Sequence, residues 1–286
     1  MHVQSQQLDE GVAFHRAALT IRRDIDDGLG RASSTNGIGL AMLRGRRLTE
    51  AMSYFEQTHT LATELNDRMW EAVAVGNLAN VCCELDRFED ARRHVQRALA
   101  LYRELGDPGG EGDVLRCASQ IHRGMGNLGE AAEAIQEALD IARERNNRAW
   151  EAWWLVELGR VQLVRELPED ALESLHRAAT LQLRLGDQTR AAVAWDATGE
   201  AYRAIGRYQE AIDFHRRAVS VHSRHGEQWL LAVTLDNLAT ALDQTGAATE
   251  ARRHWTDAGQ ALIGFTDPAA RRLRDRVGRL SAGPES

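Results

Sequence analysis

The chain of 286 residues contains no lysine: all 35 of its basic residues are arginine. That absence excludes lysine-based catalysis and points to a GC-rich genome, because arginine codons are GC-rich. Cysteine is scarce as well. Cys82, Cys83 and Cys117 are an odd number with two adjacent and no CxxC, so they suit reduced thiols in a cytosol rather than a disulfide framework or a zinc site. Apolar stretches fall well short of the roughly 20 residues that cross a bilayer, and the N-terminus lacks the basic-then-apolar pattern of a signal peptide. A cytoplasmic protein without a membrane partner is expected. The formal net charge of −7 lacks the basic footprint of a nucleic-acid binder. Catalytic motifs are missing too, with no GxxxxGK[ST], no HExxH and no GxSxG. The glycine-rich stretch Gly109-Gly110-Glu111-Gly112 follows Pro108 with no strand before it, and His222 and His225 have no evident third ligand. The expectation is a non-enzyme with no cofactor and no metal.

What the chain has is a strict period. Ala51, Ala91, Ala131, Ala171, Ala211 and Ala251 stand 40 residues apart, with no insertion or deletion between them. A second small-residue ladder (Gly39, Ala79, Ser119, Gly159, Gly199, Ala239) precedes the first by 12 residues. A third (Thr58, Ala98, Ala138, Ala178, Ala218, Ala258) follows it by 7. Strict periods of this size mean stacked supersecondary units. Antiparallel helices whose axes approach to about 8–10 Å need small side chains where they cross. Leu at Ala171 would overpack such a crossing at a cost of roughly 1–3 kcal/mol.

Each period divides into two helices, A and B, because apolar residues recur at helical spacing throughout. Gly126, Gly206 and Gly246 share the position between A and B, while Asn66, Gly106, Asn146, Gly186 and Gly226 share the end of B. Gly and Asn adopt the left-handed conformation that ends helices. Asp67, Asp107, Asn147, Asp187 and Glu227 follow at once, suited to the positive N-terminus of the next helix.

These features resemble the tetratricopeptide repeat. Helix B opens on an aromatic residue (Phe88, Tyr208), and a bulky residue stands four after the ladder alanine (Phe55, Val95, Ile135, Leu175, Trp255). Trp195, Gly199, Tyr202 and Ala211 match the family signature in the fifth repeat, in a longer, 40-residue class. Gly76-Asn77-Leu78-Ala79-Asn80 and Asp236-Asn237-Leu238-Ala239 resemble helix A of kinesin light chains and cell-polarity scaffolds. Arg97-Ala98-Leu99-Ala100-Leu101-Tyr102-Arg103-Glu104-Leu105-Gly106-Asp107 resembles repeats in actinobacterial regulators of the antibiotic-regulatory and signalling-ATPase types. The resemblance implies an all-α, right-handed α-α superhelix, a single solenoid over 1–286. Its parts are a half-repeat (6–25), repeats 28–66, 67–106, 107–146, 147–186, 187–226 and 227–266, a capping helix (267–280) and a tail (281–286).

In this family the freely varying rows of helix A line a concave groove that binds a protein or peptide. The residues expected there are Asn77, Asn80, Arg116, Gln120, Arg123, Trp153, Glu157, Arg160, Asp196, Glu200, Arg203, Asp236 and Asn237. Arg116, Arg123 and Arg160 make its middle basic, and an anionic metabolite held by these arginines is the alternative ligand. Trp153 and Trp154 project about 100° apart on a helix, so both cannot enter one core; one faces the groove. The implied role is a scaffold or sensor, the C-terminal regulatory part of a bacterial regulator. Helix 6–25 aligns with helix B without a helix A of its own. Its apolar residues Leu8, Val12, Phe14, Leu19 and Ile21 are expected to meet an upstream effector domain or a second copy of the chain.

Overall fold

The structure, a computed structural model, describes residues 3–282, with side chains described from residue 8; of the expected tail, residues 283–286 lie outside the described residues. Fourteen helices and no strand occur among the described residues. Helix α1 (Val3–Asp24) precedes the pairs α2 (Gly28–Arg44) with α3 (Leu48–Glu64), α4 (Arg68–Glu84) with α5 (Phe88–Leu105), and α6 (Pro108–Gly124) with α7 (Leu128–Glu144). Then come α8 (Arg148–Val164) with α9 (Pro168–Arg184), α10 (Gln188–Ala204) with α11 (Tyr208–His225), and α12 (Gln228–Gln244) with α13 (Ala248–Ala261). Helix α14 (Pro268–Ala282) follows. The all-α repeat fold expected from the period is the one observed.

Punctuation is as regular as the ladders. From Asp26 to Gly246 one residue in every 20 has a positive φ, and the expected Gly and Asn positions are among them. Asp26, Arg46, Asp86 and Glu166 fill the remaining places, so the repeat imposes the left-handed turn even on side chains that disfavour it. A helices start on side-chain caps: Asp67 Oδ1 accepts from Trp70 N at 2.8 Å, and Asn147 Oδ1 accepts from Ala149 N and Trp150 N at 3.1 Å. Glu227, one methylene longer, makes no such bond. B helices start without a side-chain cap at Arg47, Arg87, Leu167, Arg207 and Ala247. Their ends rest on packing instead.

The chain divides into two compact units, Met1–Ile141 and Ala142–Ser286. In the first, α2 packs on α3, α4 on α5, and α1, α3 and α5 each on the A helix that follows; α2 also touches α4, and α4 touches α6. The second repeats the scheme, with α8 touching α10 and α10 touching α12. A helices therefore form one layer within each unit. All six ladder alanines from Ala51 to Ala251 have 0% exposure. A Cβ at Gly39 would lie 2.6 Å from the Phe55 ring, one at Gly159 2.6 Å from Leu175 Cγ, and one at Gly199 2.5 Å from His215 Cε1. Those close approaches explain the small-residue ladder: the bulky residue on B is seated against the bare backbone of A.

Candidate partner-binding face on the A helices

In the first unit the expected face residues form a short polar ladder from helix to helix. Asn77 Nδ2 on α4 donates to Asn36 Oδ1 on α2 at 2.8 Å. Asn80 Nδ2 donates back to Gly76 O at 3.3 Å, and its Oδ1 accepts from an Arg116 guanidinium N–H on α6 at 3.4 Å. Gln120 and Arg123 are half-buried on the same helix as Arg116. Amides thus carry the first unit's A layer, with the guanidinium groups toward its α6 side.

The second unit uses the same register with different chemistry. Asn237 Nδ2 on α12 donates to Asp196 Oδ2 on α10 at 3.1 Å. The other oxygen, Asp196 Oδ1, lies 2.7 Å from His215 Nδ1, whose ring comes from α11 and is wholly buried. Gly199 leaves room for that ring. On α12, Asp236 accepts from Trp255 Nε1 at 3.0 Å and from Arg276 Nε on α14 at 3.1 Å, while another Arg276 N–H donates to Thr240 Oγ1 at 3.1 Å. Helix α14 therefore sits in the register of an A helix, as Arg276 follows Asp236 by 40 residues. At position 279, where the ladder would demand a small residue, it carries an exposed arginine.

Arg160 on α8 and Glu200 and Arg203 on α10 are half-buried, and among the described residues none of the three makes a side-chain hydrogen bond or ion pair. Burial first, and then the neighbouring Asp196 carboxylate, push the Glu200 carboxyl above its ordinary range; Arg160, His215 and Arg203 oppose them only in part. Glu157 is buried at 2% exposure. Trp154 enters the core, wholly buried and stacked on Trp150 with centroids 5.6 Å apart, whereas Trp153 is half-buried with the Arg190 guanidinium 5.0 Å from its ring centroid. Adjacent tryptophans do diverge as helix geometry requires.

Sequence reasoning missed His215, the odd member of the bulky row Phe55, Val95, Ile135, Leu175 and Trp255. A polar ring in an apolar row was the available signal, and Asp196 opposite it was the confirmation. Arg116 and Arg123 belong to α6 in the first unit and Arg160 to α8 in the second, so each unit presents its own arginines. Helix α1 buries Val12 on α2 but leaves Phe14 73% and Ile21 61% exposed. No described helix is long and apolar enough to cross a membrane.

Comparison with known proteins gives concordant matches. A sequence profile described as tetratricopeptide repeat matches residues 70–144, 150–224 and 190–258. The regulatory protein AfsR of Streptomyces griseus is 24% identical over 226 residues, which cover 79% of this chain and 22% of that protein. This chain thus spans about a fifth of that relative's length. Among solved structures, a Rap protein complexed with Competence and Sporulation Factor superposes with a TM-score of 0.69 at 13% identity, covering 99% of this chain and 88% of that one. A signal transduction ATPase with numerous domains and a tetratricopeptide repeat sensor, from Pyrococcus horikoshii, gives 0.64 at 13% identity, covering 93% of this chain and 43% of that one. At these identities the two structures establish likeness of fold alone.

Proposed function

The chain belongs to the tetratricopeptide repeat family, and we propose that it is a protein- or peptide-binding module whose second-unit A face takes a mixed-charge segment of its partner. Three charged side chains carry this reading. Arg160, Glu200 and Arg203 are half-buried and make no side-chain hydrogen bond or ion pair among the described residues, and burial raises the Glu200 carboxyl above its ordinary range. At the starts of three B helices the charges are matched locally: Arg47 meets Glu50 at 2.6 Å, Arg87 meets Asp90 at 2.7 Å and Arg207 meets Glu210 at 2.8 Å. A charge that is half-removed from water and unmatched costs stability, and a partner's complementary groups would recover that cost through charge-assisted hydrogen bonds.

A narrower role is supported by the likeness to AfsR over 79% of this chain. On that reading the module is the sensory part of a bacterial regulator, and partner engagement is the signal it passes on. The neighbour complexed with Competence and Sporulation Factor shares this fold and is itself a binding protein, in keeping with that role.

Selection of a random peptide library on the purified chain tests the binding role. Enriched peptides should carry acidic and basic residues close together. Swapping the charges (Arg160→Glu, Glu200→Arg, Arg203→Glu) should weaken them at least tenfold, since each charge-assisted bond contributes about 1.5–3 kcal/mol. Reversing the exposed helix-B residues Arg92 and Arg93 should leave binding unchanged. Peptides that bind the charge-swapped protein as well as the wild type would refute the assignment to this face.

A further inference from the structure

We infer that the junction of α1, α2 and α3 is a binding site for a small dicarboxylate or acidic amino acid, separate from the A face and sharing none of its residues. A cavity of about 250 Å³ opens there, and Leu19, Arg23, Arg31, Thr35, Thr60 and Glu64 are among the residues that line it. Among the described residues, the Arg23 and Arg31 guanidinium groups and the Glu64 carboxylate make no ion pair and no side-chain hydrogen bond. Arg22 and Asp27 are occupied with each other and with Gly30 and Ser34.

The case rests on what the same junction does in later repeats. Position 31 of the first repeat corresponds to Glu71, Glu111 and Glu151 in the next three, and each of those acids holds an arginine of a flanking B helix. Glu71 accepts from Arg97 at 2.5 Å, Glu111 accepts from Arg103 at 2.6 Å, and Glu151, only 1% exposed, accepts from Arg177. Arg103 occupies the place of Arg23, while Arg97 and Arg177 occupy the place of Gln57, which also lines the cavity. In the first repeat the acid is replaced by Arg31; Arg23 keeps the arginine of the preceding B helix, while Gln57 stands in the place of the arginine of the following one. Two guanidinium groups therefore face a cavity from which the usual carboxylate is missing.

Each guanidinium can take a carboxylate through two parallel hydrogen bonds, so the pair suits a molecule with two of them. The Thr35 hydroxyl adds a neutral donor, and Leu19 and Leu61 give a short carbon chain an apolar wall. Glu64 is the acid among the lining residues, placed to receive an ammonium group. L-Glutamate has all three charges; succinate has the two carboxylates alone.

Titration of the full-length chain with succinate and with L-glutamate, followed by calorimetry and by thermal unfolding, tests this site. We expect saturable binding of both, tighter for L-glutamate, with a rise in melting temperature that follows occupancy. Arg31→Glu restores the acid found in the three following repeats, so it should keep or raise the melting temperature of the free protein. It should also weaken both ligands at least tenfold, as should Arg23→Ala. Arg160→Glu on the A face should leave this binding unchanged, which separates the site from the proposed peptide face. Absence of saturable binding by either probe, or equal affinity in Arg31→Glu, would overturn the inference.

Discussion

The first repeat, in the first unit, and the fifth, in the second, solve one packing problem with opposite polarity. Each places a glycine on helix A beneath a ring on helix B: Gly39 beneath Phe55, and Gly199 beneath His215. Each also has an asparagine of the following A helix donating to the A helix before it, Asn77 to Asn36 at 2.8 Å and Asn237 to Asp196 at 3.1 Å. Where the buried ring is phenyl, the acceptor is a neutral amide. Where it is imidazole, the acceptor is a carboxylate that the ring nitrogen reaches at 2.7 Å. One core substitution therefore sets the charge of the surface layer, and the Asp196 carboxylate in turn helps raise the affinity of Glu200 for its proton. The polarity of the A face is decided partly in the core.

The largest effect should come from breaking that coupling. Asp196→Ala removes the hydrogen bond between carboxylate and ring and leaves a buried His215 nitrogen unpaired, which together should cost about 3 kcal/mol in urea unfolding. Importing the first repeat's solution, Asp196→Asn with His215→Phe, should return stability to within about 1 kcal/mol of the wild type. Simple additivity of the two single changes would show that the two positions are not coupled.

Acid should separate the repeats next. His222 stands where the first repeat has the wholly buried Ala62, and burial pushes its pKa down to about 4, with His225 adding to the shift and Asp196 opposing it. A histidine depressed in the folded state is favoured neutral there, so its contribution is complete above the unfolded value near 6.5 and is lost as pH falls toward 4. The loss should be on the order of 3 kcal/mol across that window. Gln182 occupies the same row and is buried, so His222→Gln should fold and flatten the acid limb. An unchanged pH profile would deny His222 this role.

Adding a methyl group to the ladder probes the shared geometry. Gly39→Ala and Gly199→Ala each place a Cβ within about 2.6 Å of a ring and should cost about 1–3 kcal/mol, similar in the two repeats. A much smaller penalty at Gly199 would mean that His215 can move aside. The smallest effect concerns the turns. Glu166 adopts φ +60° where the equivalent turns at 126, 206 and 246 use glycine. Glu166→Gly should gain up to about 1 kcal/mol, as relief of left-handed strain outweighs the added freedom of the unfolded chain.

Most of the scaffold was legible because its determinants are local and repeated. The ladder alanines, the left-handed Gly and Asn positions and the Asp67 and Asp107 caps each act within a few residues of themselves, and twofold or greater recurrence makes them stand out. Polar coupling was less legible, because it depends on residues that break the pattern. His215 interrupts a bulky row, Arg31 reverses an acidic one, and Arg276 meets Asp236 from a helix that sequence alone marked only as a cap. Each becomes meaningful when the helix packed against it is known. Trp153 and Trp154 lay between these cases: helix periodicity required them to diverge, but packing decided that Trp154 is the one in the core.

Hydrogen–deuterium exchange of the chain with a selected peptide bound tests the central claim most directly. The account predicts added protection in the A helices of the second unit, over 153–160, 196–203 and 236–240, with α9, α11 and α13 unchanged. Protection confined to those B helices, with the three A-helix segments exchanging as in the free protein, would contradict it.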